Sequence, residues 1–138
     1  MAILDVFNVS GSGMAAQSLR LNTTASNIAN AESVAADPAD TYRARYPVFQ
    51  ASLSDAIEGS AASSAVQVPG IVESDKPLNM RYEPDHPFAD DKGYVAYPNV
   101  SVVEEMANMI SASRSFQMNV EVLNTAKSLA ERVLSLGQ

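Results

Sequence analysis

The sequence contains no cysteine, no tryptophan and only one histidine among its 138 residues. Without cysteine there is no disulfide, no thiol nucleophile and no Cys/His zinc site. A Ser/His/Asp triad or a histidine metal cluster would rest on His86 alone. Positive charge is also scarce: nine Lys and Arg against sixteen Asp and Glu give a net charge of −7. That is the wrong sign for displacing counterions from phosphates, so nucleic acid is excluded as a partner. No apolar run approaches the roughly 20 residues of a bilayer span. The start, Met1 to Asp5, lacks the basic region and apolar stretch of a secretory signal, which predicts that any export uses another route. Large apolar residues are few. Of the 46% nominally hydrophobic residues, 21 are alanine, and Leu, Ile, Val and Phe together number 32, close to the level at which a thick core becomes doubtful.

The residues that are present are arranged with clear periodicity. Val102, Met109, Phe116, Leu123 and Ala130 recur every seven residues, with Met106, Ser113, Val120, Lys127 and Leu134 four residues after each. Ser101 and Glu104 have capping-box spacing after Pro98 and Asn99, and Gly137 supplies a stop, so the pattern predicts one long helix over 101–136. Such sustained heptads point to a coiled coil or helical array. Met118, Val122, Leu129, Val133 and Leu136 form a second apolar stripe. One partner helix cannot cover both faces, which implies intermolecular neighbours.

At the other end Phe7, Met14, Leu21 and Ile28 also repeat every seven residues, beside a thinner row of Leu4, Gly11, Ser18 and Ala25. Gly11 and Gly13 each cost a helix about 1 kcal/mol relative to alanine, so this segment is expected to fold by docking. Its expected end is Asn27 to Asn30, and residues 1–30 and 101–136 are expected to pair. The assembly seam would comprise Phe7, Met14, Leu21, Ile28, Val102, Met106, Met109, Phe116, Val120, Leu123 and Leu134.

Between the helices, short β-branched and aromatic runs at 41–49, 66–68, 71–73, 78–82 and 94–97 predict a small antiparallel sheet. Asp90 to Gly93 forms a turn signal, and residues 59–65 have the composition of a flexible loop. Phe49, Leu53 and Ile57 also fit a short helical turn. The expected fold is mainly α, divided into an N-terminal helix within 1–36, a β-rich insert over 37–99 and a C-terminal helix within 100–138. The insert carries most of the negative charge, with ten acids against five bases.

No motif favours an enzyme. His86 lies near Asp85, Asp90 and Asp91, but prolines at 84 and 87 and the lack of a second histidine favour a solvated turn. Ser10-Gly-Ser-Gly13 lacks the Lys-Ser/Thr of a phosphate-binding loop and the third glycine of a dinucleotide loop. No catalytic, cofactor or metal residue is expected, and no small-molecule substrate.

Several segments together resemble the axial proteins of the bacterial flagellum, and within them the proximal-rod members. These are Leu21-Asn22 with Ser26-Asn-Ile-Ala-Asn-Ala31, Tyr42-Arg-Ala-Arg45, Gly93-Tyr-Val95, Pro98-Asn-Val100 with Val103-Glu-Glu-Met106, and Ser111 to Gln117 continuing through Asn119 to Lys127. The family motif falls on Asn27 and Asn30. The resemblance implies a structural subunit of the basal-body rod, lying in the periplasm and assembling helically with itself and other rod subunits. In that position it would transmit motor torque to hook and filament. Contacts with basal-body ring and adaptor proteins follow, as does export through the flagellar type III apparatus without a cleavable signal. Phe49 and Leu53 resemble the short signal read by that apparatus, although a packed strand or helical turn accounts for them equally well. The competing class is a soluble coiled-coil adaptor or export chaperone, forming a closed dimer.

Overall fold

The computed structural model describes residues 3–53 and 64–137; of the expected loop at 59–65, residues 59–63 lie outside the described residues, as does Ile57, while Ser64 and Ala65 are strand. The order is α1 (Ile3–Ala29), a 3-10 turn (Pro38–Asp40), β1 (Arg45–Leu53), β2 (Ser64–Glu73), β3 (Asn79–Tyr82), β4 (Tyr94–Tyr97) and α2 (Val102–Leu136). Two terminal helices thus enclose a small antiparallel insert.

The ends of α2 follow from its sequence. The Ser101 side chain caps the start, accepting from the Glu104 N–H, and Glu104 and Glu105 lie in the first turn, where negative charge suits the helix dipole. No glycine or proline interrupts its 35 residues, and the Gly137 N–H closes the far end on the Leu134 carbonyl. At 1.5 Å per residue α2 is about 52 Å long. The last turn of α1 is closed by Asn30, whose Nδ2 donates to the Ser26 carbonyl.

The two helices run antiparallel in a register fixed by two close approaches. Asn27 Nδ2 donates to Glu105 Oε2 at 2.9 Å. Fourteen residues earlier on α1, Gly13 faces Asn119, fourteen residues later on α2. Two heptads on one helix therefore match two on the other. The same register places Val6 level with Ala126, and these two line one groove. It also leaves the last turns of α2 extending past Ile3, the first residue of α1.

The insert forms two two-stranded sheets, not the single sheet expected. The long ribbon β1–β2 pairs Arg45 with Glu73 through to Leu53 with Ser64, with a bulge between Val48 and Gln50. Ser64 to Glu73 is therefore one strand where two short runs were expected, and residues 49–53 are strand, not a helical turn. Pro77, which has no N–H to give a ladder, lies in the connection between β2 and β3. Asn99 bridges the gap: its Oδ1 accepts from the Ala44 N–H at 2.8 Å, and its Nδ2 donates to the Ser74 and Lys76 carbonyls. Beside it sits a small core of Ala31, Ala44 and Val100, with Tyr42 packed against it.

Both sheets are fastened to α1 and its exit. Ser12 Oγ accepts from the Val66 N–H of β2. Arg81 of β3 makes a two-pronged bond to Glu32 at 3.1 and 3.2 Å, and its guanidinium lies 4.1 Å from the centroid of the Tyr97 ring. Gly93 closes the β3–β4 connection at φ +82°, where a Cβ would also strike the Tyr82 ring.

The two helical glycines should respond oppositely to alanine. Gly11 faces open space, so Gly11→Ala should stabilise the free chain by about 0.5–1 kcal/mol through helix propensity. At Gly13 a Cβ would lie 3.2 Å from the Asn119 amide, itself held by the Ser115 carbonyl. Urea melts of Gly13→Ala should show none of that gain, and Gly13→Leu should be destabilised outright.

Candidate functional site

The line of contact between the helices is mostly small or polar. Buried along α1 are Ser10, Ala16, Thr23, Thr24 and Asn27, and along α2 Glu105, Ala112 and Ala126. On α2 the contact combines the row Met109, Phe116, Leu123 and Ala130, all half-buried, with a companion row of Glu105, Ala112, Asn119 and Ala126. That companion row lies one residue earlier than the expected Met106, Ser113, Val120, Lys127 and Leu134. Met106 and Leu134 accordingly face solvent, the latter 72% exposed, as does Val102, while Val120 is half-buried. A step of one residue turns a helix face by about 100°. On α1 the closest line runs through Gly13 and Asn27, so Phe7, Met14, Leu21 and Ile28 flank it, each half-buried. Of the thinner row, Gly11 is half-buried and Ser18 and Ala25 are exposed; the Leu4 side chain lies outside the described positions.

The second stripe is gathered into a surface feature. Met118, Val122, Leu129 and Val133, with Val6 of α1, line an open apolar groove of about 730 Å³ in which Glu121 is the one charged residue. Leu136 stands beyond it, 86% exposed.

At the opposite end of the helix pair lies a polar hub. Asn27, fully buried, uses its whole hydrogen-bonding capacity: Oδ1 accepts from the Tyr42 hydroxyl and the Arg45 N–H, and Nδ2 donates to the Arg45 carbonyl and Glu105. The amide thus pairs with the first residue of β1 as a neighbouring strand would, while holding α2. Glu105 is 0% exposed and also accepts from Asn108 Nδ2. Tyr46 of β1 lies against it; burial first, then the Glu105 charge and hydrogen bond, push its phenol up to about 12. Asn30, the other motif residue, caps α1 and takes no part in the hub.

The remaining features have plain structural roles. Phe49 sits at the β1 bulge, partly exposed, and Leu53 is the last residue of β1, paired in register with Ser64. His86 Nδ1 accepts from the Phe88 N–H within a turn, and no metal-type cluster of acids and histidine occurs among the described residues. No helix among them is long and apolar enough to cross a membrane.

Known proteins match the chain in sequence at both of its ends and over its whole length. A family model for the flagella basal body rod protein matches residues 7–34, and one for the C-terminal part of the flagellar basal body rod FlgEFG proteins matches residues 91–136. Over all 138 residues the chain is 51% identical to the whole of the flagellar basal-body rod protein FlgC of Salmonella typhimurium. It is 48% identical to the whole of that of Yersinia enterocolitica. Against the Aquifex aeolicus protein the identity is 38% over 94% of this chain and 96% of the relative. The chain belongs to the FlgC family of flagellar basal-body rod proteins.

FlgC proteins are structural, so this chain is a rod subunit and not an enzyme, and it assembles with other rod subunits in the basal body. The two family matches cover α1 and α2, the elements joined by the hub. Sequence reasoning noticed Asn27 through the family motif but missed Glu105, Ala112, Asn119 and Ala126, although these four also recur every seven residues.

Asn27→Ala would strand Glu105, Tyr42 and both backbone groups of Arg45, at a cost of about 2–5 kcal/mol. Asn27→Asp should cost as much by setting a second carboxylate against Glu105. In a double-mutant cycle, adding Glu105→Gln to Asn27→Asp should recover part of that loss, as read by urea midpoints.

The Tyr46 phenol has a higher pKa folded than the free value of 10.0, so it favours the fold fully below pH 10. That contribution is lost as pH rises towards about 12. The urea midpoint of the wild type should therefore fall more steeply over that interval than that of Tyr46→Phe.

Proposed function

We propose that the chain is a subunit of the proximal rod that assembles helically and forms part of the drive shaft carrying motor torque to hook and filament. The observation that carries this reading is the apolar groove of Val6, Met118, Val122, Leu129 and Val133, which the described side chains of α1 leave uncovered. In an aqueous setting such a face favours burial against another helix. A face that differs from its partner surface makes heterologous contacts, which propagate as open helical assemblies and not closed pairs. The family membership supports the same reading.

In this proposal α1 and α2 pair as the coiled-coil core, with the seam residues Phe7, Met14, Leu21, Ile28, Met109, Phe116, Val120 and Leu123 packing within and between subunits. Exposed Val102, Met106 and Leu134 would serve neighbours. The helical segments within 1–36 and 100–138 form the inner layer, and the acidic insert, 37–99, faces outward to other rod subunits and to ring and adaptor proteins. The chain reaches the periplasm through the flagellar type III apparatus without a cleavable signal peptide. Phe49 and Leu53 are the residues through which that apparatus would read it before folding. Asn27 acts in packing, since its amide is fully committed inside the subunit.

The test separates folding from assembly. Val122→Asp and Leu129→Asp place a charge on the uncovered face, so the free chain should keep its helicity and be secreted. Co-purification with detergent-extracted basal bodies and swimming should both be lost. Phe116→Asp and Leu123→Asp, on the inner face, should weaken the fold as well. Normal swimming with Val122→Asp and Leu129→Asp would overturn the groove as an assembly surface.

A further inference from the structure

Next to the hub lies a cavity of about 340 Å³, lined by Arg20 and Thr24 of α1, Tyr46, Pro47 and Phe49 of β1, and Asn108 of α2. Arg20 and Thr24 are four residues apart and so share one helix face. The guanidinium donates through Nη2 to Asn108 Oδ1 at 3.0 Å, its one hydrogen bond among the described residues. Asn108 passes its own Nδ2 to Glu105, so a neutral amide stands between the cation and the buried carboxylate. Most of the N–H fork of Arg20 is left unused.

Thr24 is the second observation. It is 96% buried by virtue of its 4% exposure, yet its hydroxyl makes no hydrogen bond among the described residues, whereas neighbouring Thr23 bonds back to the Leu19 carbonyl. The Thr24 oxygen is also not among the buried orphan atoms, of which the Gln17 oxygen is one, so it remains accessible to solvent from within an otherwise covered side chain. A free hydroxyl and a free guanidinium edge on one helix face, walled by two aromatic rings and a proline, form a pocket short of one acceptor.

We propose that this pocket receives an aspartate or glutamate side chain of an adjoining rod subunit, a partner that rests on the rod function given above. A carboxylate accepts from a guanidinium fork and a hydroxyl together, and its methylene stem packs on Phe49 and Pro47, which a free inorganic anion would leave bare. The donors of such a group are abundant, since 37–99 of this chain alone carries ten acids against five bases.

The test uses the full-length chain in cells and purified. Thr24→Val removes only the unpartnered hydroxyl, so the urea midpoint should not fall, while incorporation into extracted basal bodies should drop about tenfold. Arg20→Gln should lower it further, and Arg20→Glu should abolish swimming. Suppressors of Arg20→Glu should convert an Asp or Glu of a rod subunit to Lys or Arg. Wild-type incorporation of both Thr24→Val and Arg20→Gln would overturn the proposal. So would suppressors confined to Glu105 and Asn108, which would make Arg20 purely structural, or micromolar binding of inorganic phosphate or acetate to the purified chain. Absence of the wild-type chain from basal bodies would instead refute the rod reading itself.

Discussion

A buried carboxylate without a cation in contact is expensive, and Glu105 is tolerated because neutral donors from separate elements converge on it. Asn27 donates from α1 and Asn108 from α2 itself, while Asn27 also holds Arg45 of β1. Since the Asn27 amide also grips the N–H and carbonyl of Arg45, the hub is satisfied only when all three elements are in place. A slip of one residue between the helices would leave a carboxylate and an amide unpaired inside the molecule. Apolar side chains tolerate sliding far better, because their attraction has little direction. The hub thus specifies register where the thin alanine-rich contact does not.

That division of labour explains where the large apolar residues went. Close approach of α1 to α2 requires Gly13, Ala16, Ala112 and Ala126 at the centre, and such residues bury little area each. Met118, Val122, Leu129 and Val133 are thereby displaced from the intramolecular contact to an outward face. A subunit built this way leaves much of its large apolar surface outside its own core. Register within the subunit is set by polar bonds, and the apolar stripe takes no part in setting it.

The parts of this fold that were legible in the sequence were those governed by local rules. Ser101 and Gly137 bracket α2 because capping and helix termination act within a few residues. The row Met109, Phe116, Leu123 and Ala130 is large and periodic enough to be seen. The companion row was placed one residue late because Glu105 and Asn119 look like surface residues, and only their partners on α1 make burial affordable. The split of the insert into two sheets was likewise hidden, since the side chain of Asn99 performs a task usually left to backbone. Arg20 and Thr24 carried no pattern at all; their meaning comes from what β1 does and does not offer them.

The insert is attached firmly to the helix pair. Three separate fastenings join it to α1 and its exit: Asn27 to Arg45, Ser12 to Val66, and Glu32 to Arg81. They are spread from residue 12 to residue 32, so the ribbon and the second sheet cannot pivot about one point without breaking another. Exposed ion pairs such as Glu32 with Arg81 contribute little alone, whereas the Asn27 amide is buried and fully bonded. The hub that sets helix register therefore also ties the insert to the helix pair.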